Sequence, residues 1–192
     1  MSNENSKSSE IVASAVNRKT GFVEGMSAGG VFTTTCYDAN GNEKWVEVAP
    51  NLVTNVGLQN MNTQFFTGSA YTAAWYIGLV NGTSVSTTFS GGDTLASHAG
   101  WEENFDYSTA TRQVCTFGTA TLADPSNINN SSTTASFSIT ANATIAGAFL
   151  ANVSSGTSGL LFSESDFQSP GDRTVVSGDV LIVTYSFNLD AT

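Results

Sequence analysis

The most regular pattern in the chain is an alternation of period two. Across residues 135–142, Ala135, Phe137, Ile139 and Ala141 share one face, and Ser136, Ser138, Thr140 and Asn142 the other. Such a segment is a strand with one core side and one wet side. Residues 179–189 repeat the pattern: Leu181, Val183, Tyr185, Phe187 and Leu189 point one way, and from Thr184 onward the opposite face is polar. Residues 31–37, rich in Thr and β-branched side chains, run into Asp38-Ala39-Asn40-Gly41-Asn42. Residues 44–48 then return with Trp45 on one face and Val46 and Val48 on the other. Asn40-Gly41 between two such runs predicts a hairpin, because both residue types accept the positive φ of a tight turn. Residues 73–80 (AAWYIGLV) form a continuous apolar run ending at Asn81-Gly82, the pattern of a strand buried on both faces. Strands are also predicted over 112–121 and 144–151, with shorter ones at 156–163 and 174–176.

Residues 50–66 break this pattern. In PNLVTNVGLQNMNTQFF, Val53, Val56, Met61 and Phe65, with Leu58 alongside, approximate helical spacing, and Thr54 or Asn51 can cap the start. The spacing predicts one substantial helix near residues 52–66, covering an open face or end of the sheets with its apolar side in the core. Asp93-Thr94-Leu95-Ala96-Ser97-His98 predicts a single capped helical turn stopped at Gly100. Eight or nine short strands separated by turn signals predict a mainly β protein, a β-sandwich of jelly-roll or immunoglobulin-like type. No repeat of solenoid or propeller period is present. Residues 1–20 have low hydrophobicity and no apolar period, which predicts a flexible N-terminal arm, either plainly disordered or ordering on a neighbouring subunit. Residues 21–192 then make a single β-sandwich domain, a length sufficient for a substantial core.

Composition changes this picture mainly at the surface. Charged residues make up 11% of the 192 residues, against roughly 25% in an average soluble protein. Ser, Thr, Asn and Gly take their place, so the exterior is polar but largely uncharged. The formal net charge is −10, with six Lys and Arg in all. Lys7, Arg18 and Lys19 fall within the first twenty residues, leaving Lys44, Arg112 and Arg173 for the rest. So few cations cannot neutralise a phosphate backbone or an anionic membrane, which disfavours both as direct partners. No run of about 18 apolar residues is present to span a membrane. The first twenty residues lack the apolar stretch of a secretory signal, so synthesis in the cytoplasm is expected. Cys36 and Cys115 are accordingly expected to be reduced and buried rather than bridged. Five Asn-x-Ser/Thr matches, beginning at Asn81, Asn129, Asn130, Asn142 and Asn152, are what chance produces in a chain of this composition.

Candidate chemistry is sparse. His98 is the single histidine, and no nucleophile-elbow motif accompanies it, so a structural role is expected. One His and two distant Cys cannot assemble a Cys/His zinc site, and Gly91-Gly92 is a turn rather than a phosphate loop. Asp38–Asn42 imitates the opening of an EF-hand loop, but Glu43 stands where its glycine belongs and Ala49 where its bidentate Glu belongs. Glu102, Glu103 and Asp106 could serve glycoside hydrolysis only if they converged on a groove; a solvated loop or a subunit-interface patch is the expectation. Trp45, Trp75 and Trp101 are candidates for a sugar-stacking platform, with Trp75 expected in the core. No catalytic, cofactor-binding or metal-binding residue is therefore nominated, and the chain is expected not to be an enzyme.

Five segments taken together, PNLVTNVGLQNMNTQFF, YTAAWYIGLVNG, DTLASHAGWEE, ATIAGAFL and VVSGDVLIVTYSF, resemble a family of small virion structural proteins of tailed bacteriophages. The resemblance spans roughly residues 45–189 and contains no catalytic motif. It implies a capsid decoration (cement) protein on the outer surface of the head, with the major capsid protein as partner. It also implies a homo-oligomer, a trimer favoured by analogy with lattice binders, located in the virion. A tail or head-fibre protein binding host-surface carbohydrate through Trp45 or Trp101 is the alternative. A depolymerase using Glu102–Asp106 is a third reading.

Overall fold

The computed structural model describes residues 25–68, 74–82, 87–168 and 170–191; the arm expected over residues 1–20 lies outside them. Among the described residues, twelve strands and one helix follow in the order β1 (Met26–Tyr37), β2 (Glu43–Pro50), β3 (Leu52–Val53), α1 (Asn55–Thr67), β4 (Tyr76–Asn81), β5 (Glu102–Asn104), β6 (Gln113–Val114), β7 (Ser126–Asn129), β8 (Ala135–Ser138), β9 (Ala143–Ala151), β10 (Leu161–Asp166), β11 (Arg173–Val175) and β12 (Val180–Ala191). They form two antiparallel sheets, as the alternation predicted. The first has the order β2-β1-β12, with β7 and β8 sharing the far side of β12. The second has the order β3-β10-β9-β4-β5, with β11 alongside β9 and β6 alongside β4. The higher strand count comes from β3, β5 and β7, pieces of two to four residues in segments where no strand was predicted.

The predicted hairpin joins β1 to β2. The Asp38 carboxylate accepts from the backbone N–H of Asn40 (2.8 Å) and of Asn42 (2.9 Å), and Gly41 takes φ 84°. The Asn42 donors hold the Asp38 carboxyl below its usual range. The two long alternating strands are antiparallel neighbours from Met26↔Ala191 to Tyr37↔Val180. Their inward side chains, among them Phe32, Cys36, Leu181, Val183 and Tyr185, meet Ile77, Leu79, Ile145 and Leu150 of the second sheet in the main core. The run around β4 is buried on both faces because the second sheet also has an apolar outer side. Val80, Ala146, Phe149, Ala151 and Leu161 pack there beneath Leu95 and Trp101 of the loop 87–101. Gly78 permits this, since a Cβ would lie 2.2 Å from the Phe149 ring.

Four predicted elements differ, the smallest being the strand expected over 156–163, which begins only at Leu161 and runs to Asp166. The turn at 93–98 is not helical: Thr94 and Ser97 exchange both backbone bonds at 3.0 Å, which places Leu95 in the outer apolar cluster. One helical turn fixes several torsions for very few bonds and loses to that packing. Residues 112–121 pair only at Gln113–Val114; Cys115 N then donates to Trp75 O, and Gly118 N and Thr121 N donate to Asn129 O and Asn127 O. This segment crosses from the edge of one sheet to the edge of the other, so it cannot remain a single strand.

The helix α1 exists, capped by Thr54, whose Oγ1 accepts from Gly57 N (3.0 Å) and donates to Leu161 O (2.6 Å). Its apolar face is not in the core. Gly57 is its buried residue, held so close to β10 that a Cβ would lie 2.3 Å from Phe162 O. Met61 is partly buried, whereas Leu58, Phe65 and Phe66 are exposed. Backbone contact at Gly57 sets the helix orientation, and side-chain periodicity does not.

In a free helix Gly→Ala adds about 1 kcal/mol of stability. Here Gly57→Ala is expected to lower stability by about 1–3 kcal/mol, because the helix must lift from Phe162. Urea unfolding of the two proteins reads the sign directly.

Candidate functional site

The residues weighed for chemistry in the sequence do not converge. His98 stacks on Trp101 (3.9 Å between centroids), with Nδ1 3.0 Å from Trp101 O, and stays within its own loop. Glu102 is exposed, Glu103 pairs with Arg112, and Asp106 accepts from the Asn104 amide at 2.9 Å. Glu103 and Asp106 therefore have separate partners, and the three acids do not act on a common point. Trp101 is buried at 2% exposure, Trp75 packs against the main core, and the Trp45 ring is half-buried between Phe167 and the Arg173 guanidinium. They make no common sugar-stacking platform. Cys36 and Cys115 are free and buried, and burial pushes their thiols up to about 11 and about 12. Among the described residues no group of three His, Cys, Asp or Glu is placed to hold a metal ion.

Buried charges instead tie loops to sheets. Arg112 meets Glu103 through two bonds (2.7 and 2.9 Å), donates to Val153 O and Gly156 O, and lies over the Phe149 ring. Burial raises the Glu103 carboxyl while Arg112 opposes the shift. Glu47, inward on β2, accepts from both Arg173 and Gln168 N. Asp179 accepts from Lys44 and from Val176 N. The sequence carried no signal for a fourth such residue, Glu164 of β10. It is fully buried, accepting from Ser90 N (3.0 Å) and Trp101 Nε1 (3.0 Å) with the Asp93 carboxylate beside it. Burial, then Asp93, push it up to about 8. Protonation of this one carboxyl thus helps hold the loop 87–101 on the second sheet.

Two surfaces remain. The outer face of the first sheet is free of charge across its centre: Val48, Thr33 and Thr184 lie in one cross-strand row, and Val46, Thr35 and Ile182 in the next. Val48 is 58% exposed and Val46 42%. The second surface lies where β1 begins, β12 ends and α1 finishes. Met26, Met61, Asn62, Gln64, Phe65, Phe66 and Leu189 line an open hollow of about 520 Å³ without a charged side chain. Phe65 and Phe66 pack edge to face, yet remain 83% and 77% exposed. Either surface can bury apolar area against another polypeptide; neither presents a nucleophile and base in hydrogen-bond reach. No helix of the described residues is long and apolar enough to cross a membrane.

No family model matches the chain, and neither a curated protein nor a solved structure matches it.

The raised Glu164 carboxyl has a consequence for stability. A native value of about 8 against an ordinary 4.5 means that the folded state retains a proton the unfolded chain releases. Stability from this group is complete below about pH 4.5 and is lost as pH rises through about 8. Glu164→Gln is expected to flatten the decline between those limits, as followed by thermal unfolding across the range. An unchanged pH profile would refute the assignment.

Proposed function

We propose that this chain is a non-enzymatic capsid decoration (cement) protein of a tailed bacteriophage, binding the outer surface of the head lattice and stabilising it. Its partner is the major capsid protein, and it sits on the lattice as a trimer. The observation that carries this reading is the outer face of the first sheet, free of charge across its centre, where Val46, Val48, Thr33, Thr35, Ile182 and Thr184 lie. A pleated face of short side chains is rigid and broad and has few charges to desolvate, so it suits a repeated protein contact. The same molecule spends its inner charges on Arg112–Glu103, Arg173–Glu47 and Lys44–Asp179. Those pairs keep the loops fixed to the sheets, and a subunit that stiffens a shell must itself be stiff. The resemblance of the five quoted segments to phage virion proteins supports the major capsid protein as the partner of this face.

Quantitative mass spectrometry of purified particles tests the reading: the chain is expected at a copy number comparable with that of the major capsid protein. A few copies per particle would overturn it. Val48→Arg places a charge in the centre of the face at an exposed position. It is expected to weaken attachment to undecorated heads at least about tenfold, about 1.4 kcal/mol, while the unfolding midpoint of the free protein is unchanged.

A further inference from the structure

The two sheets leave a gap at one edge of the sandwich. Residues 115–118 cross it as a strap, with Cys115 N donating to Trp75 O and Gly118 N to Asn129 O, each at 2.8 Å. Phe117 of this strap, Trp75 just before β4 and Ile128 of β7 form the rim of an open slot of about 150 Å³. Its floor is Leu150, Phe162, Tyr185 and Phe187, all buried. The space persists because the strap is anchored to both sheets and cannot sink between them. Protein interiors seldom leave voids larger than a water molecule. A water held in this one needs several polar partners, and the Tyr185 hydroxyl is already bonded by Asn51 and Ser163. An apolar protein cavity of about 150 Å³ stays dry and takes up benzene.

The walls also select for a ring. Trp75 meets Phe162 edge to face at 5.4 Å between centroids, Phe162 meets Phe187 at 5.5 Å, and Phe117 meets Tyr185 at 6.0 Å. A further ring between them finds both faces and edges, the geometry that aromatic pairs favour. Beyond the rim the slot opens into a groove of about 440 Å³ bordered by Ala74, Val114, Thr116 and Gly118. Among the described residues neither space is lined by a charged side chain. An ion entering them would lose its hydration and gain no counter-charge.

We propose that this slot is a binding site for a neutral, single-ring aromatic molecule, its ring between the sheets and a short uncharged polar substituent directed into the groove. The bound ring bridges β9 and β10 of one sheet to β12 of the other, so occupancy stiffens this edge of the sandwich. The inference is independent of the decoration reading, because it concerns the interior of the free subunit.

Benzyl alcohol, titrated into the full chain and followed by backbone amide chemical shifts, tests it. Saturable binding with a Kd below about 1 mM is expected for a ligand of this size, with the largest shifts at Trp75, Phe117, Ile128 and Phe162. Benzoate is expected to bind at least about tenfold more weakly, and cyclohexylmethanol at least about threefold. Equal binding of either compound would overturn the chemical class proposed. Shifts that stay linear in concentration would overturn the site, as would largest shifts at Met61, Phe65 and Phe66, which would assign the probe to the hollow beside α1. Two rim variants move the preference in opposite directions. Ile128→Trp fills the slot and is expected to weaken benzyl alcohol at least about tenfold. Phe117→Ala widens it and is expected to admit 2-naphthalenemethanol, which the natural chain takes at least about tenfold more weakly than benzyl alcohol. Should Ile128→Trp fail to fold, Phe117→Ala decides alone: an unchanged size preference overturns the proposal.

Discussion

The fold depends on one long pairing, that of β1 with β12. Twelve residues of each strand lie in unbroken antiparallel register from Met26↔Ala191 to Tyr37↔Val180. The pair forms the centre of the first sheet, with β2 outside one partner and β7 and β8 outside the other. It also supplies one wall of the core, where Phe32 and Tyr185 meet at 4.5 Å between ring centroids. Tyr185 extends this wall into a polar bridge, its hydroxyl bonded by Asn51 and Ser163 at 2.7 and 3.2 Å. Because these strands are separated by nearly the whole chain, the loop-closure cost falls due before the core can reward it. Folding is therefore expected to be slow and all-or-none for its size.

Around that centre, the few charges are placed where a loop would otherwise swing free. Glu103 with Arg112 holds residues 153–156, Glu47 with Arg173 holds the approach to β11, and Asp179 holds the turn before β12 against Lys44. Such pairs add little over an apolar contact of equal volume, but losing one partner strands a desolvated charge. Their contribution is one of geometry: each loop has a single seat. Glu164 differs, since its neighbours are Ser90 N–H, the Trp101 indole and another carboxylate, with no cation among them. It holds the loop best when neutral.

Strands were legible wherever one face was core and the other wet. Ala135, Phe137 and Ile139 are buried while Ser136, Ser138 and Thr140 are exposed, and Leu181 to Phe187 follow the same alternation. The hairpin at Asn40-Gly41 and the cap at Thr54 were legible because a particular φ or a particular side-chain bond demands those residues. What failed has a common cause in tertiary context. Helical spacing put Phe65 on a core face, but the close approach of Gly57 to Phe162 turns that face outward. Residues 115–121 carry strand-like composition and yet cross between sheets, which no local pattern encodes. Of the two surfaces, the charge-free sheet face follows from composition plus period two. The hollow depends on the helix orientation and was invisible.

The pairing of Met26 with Ala191 has a practical side. The chain enters and leaves the described fold at one pole, beside the hollow, so a tag fused directly before Met26 or after Ala191 is delivered to that pole. The hairpin Asp38–Asn42 lies at the far end of the same strands, exposed at its tip and braced by Asp38 alone. A peptide grafted between Asn40 and Gly41 would stand about 12 strand residues away, nearly 40 Å at about 3.3 Å per residue. That separation makes the hairpin the natural position for a displayed epitope or fluorophore that must not touch the end where the chain enters and leaves the described fold.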